Sequence, residues 1–419
     1  MSVDTDAAGS ASAPITRYRG RWQRLALLGP AFVASIAYVD PGNVAANITA
    51  GARYGFLLLW VLVLANLMAM LVQYLSAKLG IVTGKSLPEL LGERMRRPAR
   101  LAFWAQAEIV AAATDLAEVI GGAIALQLLF HVPLVLGGLI VGVASLALLT
   151  VQTRGQRRFE FAVIALLAVI AVGFVVGAVV TPVDWGGFAG GLVPRFAGPD
   201  TIVLAASMLG ATVMPHAVYL HSALSRDRHR TDKSTKHRAA LLSANRVDVV
   251  VALSIAGVVN IAMLVLAADS LRGVGSADSI PGAHAAVAAA LGPVIGVAFA
   301  IGLLASGLAS SSVGSYAGAI VMSGLLKVRV PVIVRRVATL VPAIAVLAVG
   351  IDPTWALVIS QVVLSLGIPF ALVPLLRLTA SREVMGEHAD ARLTRIVAWG
   401  VASGVIVLNA VLVIVVLAG

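Results

Sequence analysis

Eleven separate apolar runs, each long enough to cross a bilayer, leave this chain few folds to choose from. A helix needs roughly 20 apolar residues to span the hydrocarbon. The runs fall at about 24–49, 55–79, 101–129, 132–151, 160–181, 201–225, 243–268, 284–325, 331–350, 354–377 and 393–418. The eighth is too long for one straight span, so part of it is expected to project beyond the membrane. The chain is 59% hydrophobic and only 12% charged, more apolar than soluble domains of this length. Cysteine is absent, which excludes disulfides, thiolate metal sites and cysteine catalysis.

The net charge of +11 could suggest a nucleic-acid surface, but the placement of the basic residues argues otherwise. With the N-terminus inside, 28 of the 31 Lys and Arg residues fall in inside segments, and only Arg53, Arg195 and Arg272 fall outside. Such asymmetry marks the cytoplasmic side. It predicts a cytoplasmic N-terminus, an external C-terminus and eleven crossings. Residues 1–20 read as a disordered cytoplasmic tail, rich in Ser, Ala and Asp near its start. Residues 21–419 read as one transmembrane domain. The basic stretch before Leu25 is a topology signal rather than part of a signal peptide, because no small-residue cleavage site precedes a soluble mature domain.

Five spans precede the midpoint and five follow it, with the eleventh appended. An odd number per half forces the second half to enter with opposite orientation, the arithmetic of inverted repeats in secondary transporters. The repeats are expected over about 24–181 and 201–377, and the extra helix over 393–418. Each half opens with an interrupted helix: Tyr38-Val39-Asp40-Pro41-Gly42 and Thr212-Val213-Met214-Pro215-His216. Proline removes an N–H and clashes with the preceding turn. The backbone is predicted to unwind there, and its carbonyls then need a cavity or an ion.

A carboxylate at mid-membrane depth is costly and usually lines a functional path. Asp40 supplies one, Asn43 a neutral oxygen and Met214 a thioether. Unwound carbonyls of Ala37 and Ala211 can complete a shell. Hard Mg²⁺ and Ca²⁺ prefer all-oxygen sites, whereas a thioether favours softer ions such as Mn²⁺, Fe²⁺, Co²⁺, Cd²⁺ or Zn²⁺. The bland alternatives are a simple proline kink and a methionine that only fills core space. On the third span, Glu108, Asp115 and Glu118 are seven and three residues apart. At about 100° per residue they share one face, within reach of Arg335 and Arg336 near the start of the ninth span. They serve either proton transfer or a structural ion-pair network.

These residues together identify a family. Asp40-Pro41-Gly42-Asn43, Thr114-Asp115-Leu116-Ala117-Glu118 and Gln361-Val362-Val363-Leu364-Ser365 resemble motifs of the first, third and tenth helices of the Nramp proton-coupled divalent metal transporters. The sixth-helix motif is matched by Gly210-Ala211-Thr212-Val213-Met214-Pro215-His216, continuing through Tyr219-Leu220-His221-Ser222. The resemblance runs from about Gly29 to the last helix. It implies the LeuT-like fold: all-α, polytopic, with eleven transmembrane helices and discontinuous helices one and six. It also implies metal ligation by Asp40, Asn43, Met214 and the Ala211 carbonyl, with Gln361 joining in some states. A polar network is implied from the site through Glu118, Asp115 and Arg336 to Arg335 and Glu108. Ala217-Val218 departs from the asparagine often found after the histidine, at a position that is not a ligand. Met214 separates this chain from Mg²⁺-transporting relatives that lack it.

His216 and His221 follow the second break. Five residues apart, they point about 140° apart and cannot chelate one ion on an ideal helix. His216, next to the metal site, suits proton exchange or else is satisfied by a backbone carbonyl. His221 is also assigned to the proton pathway. Asn66 and Asn260 read as interhelical hydrogen-bonding amides.

The function expected is import of Mn²⁺ or Fe²⁺, and also Cd²⁺ or Co²⁺, coupled to protons by alternating access. No prosthetic group, nucleic acid or obligatory protein partner is expected; the partners are metal ions, protons and the lipid bilayer. Competing readings are a Mg²⁺, other-cation or amino-acid carrier of the same fold, an uncoupled metal uniporter, a passive channel and a membrane enzyme. The last needs a pattern such as His-Glu-x-x-His, which none of the seven histidines forms. Short loops and the lack of cysteine point to a bacterial inner membrane.

Overall fold

The computed structural model describes residues 29–153, 156–228, 235–272, 279–328 and 330–418. The expected tail, residues 1–20, lies outside them. Among the described residues every regular element is helical. The first crossing is split into α1 (Pro30–Ile36) and α2 (Pro41–Tyr54), followed by α3 (Leu59–Thr83), a short α4 (Leu87–Arg94), α5 (Arg97–Phe130), α6 (Leu134–Thr153) and α7 (Gln156–Val180). A one-to-two-turn α8 (Trp185–Gly191) leads to the second half. There the first crossing is again split, into α9 (Pro199–Thr212) and α10 (Pro215–Arg228), followed by α11 (Thr235–Ser270). Then come α12 (Ile280–Leu291), α13 (Pro293–Leu325), α14 (Val332–Val349), α15 (Pro353–Ala380), the single turn α16 (Arg382–Met385) and α17 (Arg392–Ala418).

Among the described residues, eight helical stretches are long and apolar enough to cross a membrane. One of them, Pro41–Thr83, holds the last third of the first run and all of the second. The fourth and ninth runs, α6 and α14, fall outside the eight. The eighth run is not one over-long helix. Gly292 (φ 96°) and Pro293 divide it into α12 and α13, because the glycine reaches a left-handed conformation and the proline starts a new helix at its N1 position. α13 alone, at 33 residues, is about 50 Å long, so it still overreaches the hydrocarbon.

The helices sort into two packed groups around the breaks. α2, α3, α9, α10 and α11 pack on one another, while α5, α6, α13 and α14 form the other group. α15 lies against α9 and α5, and α17 against α15. Close approach depends on glycine where backbones nearly touch: a Cβ at Gly92 would strike the Gly324 carbonyl, and one at Gly80 the Ser222 carbonyl. At one end, ion pairs tie helix ends together: Lys78 to Asp390 at 2.7 Å, Arg94 to Glu383 at 3.2 Å, and Arg226 to Glu89. Glu89 belongs to a capping box with Ser86 at the start of α4. Partial burial pushes its carboxyl up, but bonds from Ser86 and the Arg226 guanidinium outweigh that and hold it below the usual glutamate range.

Candidate metal site and the polar route beside it

The first break follows from local chemistry. A residue preceding proline is pushed out of the helical region, and Asp40, before Pro41, is extended at φ −69°, ψ 168°. Asp40 then caps α2. Its Oδ1 accepts from the Asn43 N–H and from Asn43 Nδ2, each at 2.8 Å. Upstream, Ala37–Val39 form a 3₁₀ turn. Two carbonyls of that turn find donors on other helices: Tyr38 C=O accepts from Asn260 Nδ2 at 2.7 Å, and Val39 C=O from the Ser306 hydroxyl at 2.5 Å. Ala37, expected as a carbonyl ligand, is buried in the same turn. The helix start is anchored too, since Gly29 and Ala31 N–H groups donate to the Asp248 carboxylate at 3.0–3.2 Å.

The second break is built the same way. α9 ends at Thr212, Val213 leaves the helix at φ −107°, ψ 64°, and Pro215 opens α10. Met214 occupies the gap, fully buried. One hydrogen bond joins the breaks: Asn43 Nδ2 donates to the Ala211 carbonyl at 2.9 Å. From α15, Gln361 Nε2 approaches Asp40 Oδ2 at 3.4 Å. Gly42 leaves the room for it, because a Cβ there would overlap the Gln361 side chain. The structure therefore brings together Asp40, Asn43, Ala211 and Gln361, with Met214 three residues past Ala211 in the same break. Asn43 Oδ1 and Gln361 Oε1 are buried with no hydrogen-bond partner. Two orphaned amide oxygens beside a buried carboxylate are unfavourable, and a cation among them would satisfy all three. Toward the C-terminal end of α2, a cavity of about 510 Å³ is lined by Thr49, Arg53, Asp200 and Asp352, among residues of α2, α9 and α15.

The third-span carboxylates meet the ninth-span arginines as two pairs. Arg336 Nη1 lies 3.2 Å from Asp115 Oδ1, both side chains at most 3% exposed, and Arg336 also donates to the Ser311 hydroxyl. Arg335 Nε lies 3.0 Å from Glu108 Oε1, and its Nη1 donates to the Ser315 carbonyl at 3.1 Å. Gly318 lets that guanidinium lie flat on α13, since a Cβ would overlap it. Glu118 is fully buried, and neither of its carboxylate oxygens has a hydrogen-bond partner. It converges with Asp115 on Gly314, whose Cβ position is 3.1 Å from Glu118 Oε1 and 3.6 Å from Asp115 Oδ1.

The two histidines separate as their spacing requires. His216 Nδ1 sits 3.4 Å from the Thr114 hydroxyl, next to Asp115 in the chain, and its Nε2 is buried without a partner. It follows Met214 by two residues and, through Thr114, borders the third-span carboxylates. His221 lies elsewhere: its Nδ1 is 2.9 Å from Gln73 Oε1, and Gln73 Nε2 donates to the Tyr38 hydroxyl at 2.5 Å. Sequence reasoning missed Tyr38 and Gln73. Gln73 carried the same signal as Asn260, an amide inside an apolar helix. Asn260 does bridge helices, accepting from Asn47 Nδ2 at 2.8 Å while it holds the Tyr38 carbonyl. Asn66 packs against Gly257 of α11.

Two broken helices facing each other inside an all-helical membrane scaffold, each leading its half of the chain, define a transporter of the LeuT-like fold. The chain belongs to the Nramp family: residues 31–415 match the family described as natural resistance-associated macrophage protein-like. It is 61% identical over 388 residues to the divalent metal cation transporter MntH of Mycobacterium tuberculosis, covering 92% of this chain and 91% of that one. Identity to the transporter of the same name from Mycobacterium leprae is 54% over 388 residues, with the same coverage. The crystal structure of the Eremococcus coleocola manganese transporter, in complex with an aromatic bis-isothiourea substituted compound, matches with a TM-score of 0.85. That likeness is at 31% identity and covers 96% of this chain and 89% of the other. The family comprises metal-ion transporters, not enzymes.

Proposed function

We propose that this chain imports divalent transition-metal ions, Mn²⁺ and Fe²⁺ foremost and also Cd²⁺ and Co²⁺, together with protons, by alternating access. The observation that carries the reading is the donor set between the breaks. A carboxylate, two amide oxygens, a main-chain carbonyl and a thioether converge there, with two of the oxygens unpartnered. Asp40, Asn43, Met214, the Ala211 carbonyl and Gln361 hold the ion, with the Ala37 carbonyl of the 3₁₀ turn a further candidate. The named relatives, divalent metal cation and manganese transporters, agree with this substrate class. A Mg²⁺ carrier would gain nothing from the thioether.

The ion enters through the cavity beside Arg53 and Asp200, and its charge displaces a proton from Asp40. Glu118, Asp115 and His216 take up that proton, and Arg336, Arg335 and Glu108 continue the route. His221 acts at a distance, by fixing Gln73 and Tyr38 beneath the first break. Rocking of the split helices then opens the opposite face. Residues 21–419 form one domain, with repeats over about 24–181 and 201–377. It lies in a bacterial plasma membrane with the N-terminus inside and the C-terminus outside. The helix ends holding Lys78, Arg94 and Arg226 gather at one end, in accord with a cytoplasmic side.

The experiment is Mn²⁺ uptake into proteoliposomes carrying an internal pH dye, with excess Ca²⁺ and Mg²⁺ present, for wild type and Met214→Ala. Wild type should take up Mn²⁺ with acidification and ignore the competitors, and the variant should begin to admit Ca²⁺. Equal Mg²⁺ transport by wild type would refute the substrate reading. Uptake without acidification would refute the coupling.

A further inference from the structure

The helix that delivers Gln361 lacks one of its own hydrogen-bond donors. α15 carries Pro369 in its interior. Proline has no N–H, so the carbonyl four residues earlier loses its helical donor. That carbonyl belongs to Ser365, about one turn beyond Gln361. Within a membrane such a carbonyl is tolerated when a neighbouring side chain supplies the missing donor. Here the donor comes from the appended helix. Asn409 Nδ2, on α17, donates to the Ser365 carbonyl at 2.8 Å. The Oδ1 of the same amide accepts from the Ser365 hydroxyl at 2.8 Å. One side chain grips both polar groups of one residue.

The surroundings give this grip a direction. Most of α17 near Asn409 faces outward: Ile406, Val407 and Ile414 are exposed, whereas Asn409 is buried. Leu412 of α17 packs with Val362 of α15 and Ala206 of α9. On the other side of the same turn, Gly210 of α9 comes so close that a Cβ would strike the Gln361 carbonyl and the Ser365 nitrogen. The Gln361–Ser365 turn is thus held between a glycine of α9 and an asparagine of α17. From that turn the Gln361 amide reaches toward Asp40.

We propose that Asn409 is a positioning residue for the metal site: by supplying the hydrogen bond that Pro369 withholds, it fixes the turn that aims Gln361 at the ion. The proposal rests on the reading of Gln361 as a metal ligand. It gives the eleventh helix a part in ion binding from a place at the rim of the molecule. A side chain that merely glued α17 to α15 would affect folding. A positioning side chain affects the affinity for the ion, and only while Pro369 and Gln361 are both present.

The test measures KM and Vmax for Mn²⁺ uptake separately in proteoliposomes. The proteins are wild type, Asn409→Leu, Gln361→Ala, Asn409→Leu with Gln361→Ala, Pro369→Ala, and Pro369→Ala with Asn409→Leu. Asn409→Leu should raise KM about three- to tenfold, the scale of one hydrogen bond, with Vmax within about twofold. It should add nothing in the Gln361→Ala background. In the Pro369→Ala background it should be silent, because alanine returns the helical N–H to Ser365. This last comparison holds even if the single variant fails to fold. The proposal is overturned by an unchanged KM in Asn409→Leu, by effects that multiply with Gln361→Ala, or by a full effect that persists with Pro369→Ala. Should Gln361→Ala itself leave KM at the wild-type value, the ligand reading fails and this inference fails with it. A raised KM in Gln361→Ala beside a silent Asn409→Leu removes the inference alone.

Discussion

Gly42→Ala separates the fold of this chain from its ion site. Gly42 lies in the first turn of α2, between the Asp40 cap and Asn43. Alanine favours a helix over glycine by about 1 kcal/mol. Against that, the new methyl would occupy the space of the Gln361 amide, and its distance to Gln361 Cγ would be 2.7 Å. Overpacking of a rigid neighbour costs about 1–3 kcal/mol, but the Gln361 side chain is flexible and can swing away. The two effects on stability therefore nearly offset, and the melting temperature should move by only a few degrees, as expected for less than about 1 kcal/mol. The site, by contrast, loses the Gln361 oxygen and the contact to Asp40. With about 1–2 kcal/mol at stake, Mn²⁺ affinity should fall about 5- to 30-fold. Calorimetric titration of Mn²⁺ into detergent-purified protein reads the affinity, and a thermal melt of the same sample reads the stability. In Gly42→Ala with Gln361→Ala the loss should equal that of Gln361→Ala alone. Wild-type affinity in Gly42→Ala, or losses that multiply in the double variant, would refute the reasoning.

Other expectations follow from the same geometry. Arg336→Leu leaves Asp115 buried without its cation, and the loss should be about 3–5 kcal/mol, seen as a collapse in melting temperature that Asp115→Asn partly reverses; an unshifted melt would contradict the buried pair. Ser306→Ala removes the donor to the Val39 carbonyl and should lower stability by about 1–3 kcal/mol, whereas Ser323→Ala, on the same helix and bonded only one turn back, should stay within about 0.5 kcal/mol. Glu89→Gln tests pH dependence. Glu89 is held below its ordinary value of about 4.3, so its contribution is fully present above that value and is lost as pH falls through the lower folded one. The gap in melting temperature between wild type and Glu89→Gln should stay constant from about pH 7 to 5 and close below about pH 4; a gap that widened toward acid would reverse the sign.

Much of this site was legible because it breaks local rules. A carboxylate next to a proline inside an apolar run is unfavourable twice over, and Asp40 announces itself for that reason. Helical periodicity placed Glu108, Asp115 and Glu118 on one face, and the structure puts the last two together at Gly314 while Glu108 pairs farther along with Arg335. The division of the eighth run at Gly292-Pro293 was written in the sequence, but the residues around it are small and apolar and disguise the boundary. What was not legible are bonds between residues remote in sequence and individually ordinary. Gln73 meets Tyr38 across 35 residues and His221 across 148, and Asn409 meets Ser365 across 44. No periodicity records such pairs, since each is set by how whole helices pack.

The meeting of Asp115, Glu118 and Arg336 near Asp40 also carries an electrical consequence. Counted as ionised groups, three carboxylates face one guanidinium, a formal deficit of two charges among buried side chains. A divalent ion closes that deficit by itself. Each proton kept alongside the ion would turn the cluster positive in hydrocarbon, which the surroundings oppose. Arrival of the metal would then drive protons away toward the Glu108–Arg335 end, and departure of the metal would leave a vacancy of charge that the next ion or the next protons must fill. On the proposed proton-coupled reading, the carrier is a capacitor as much as a gate.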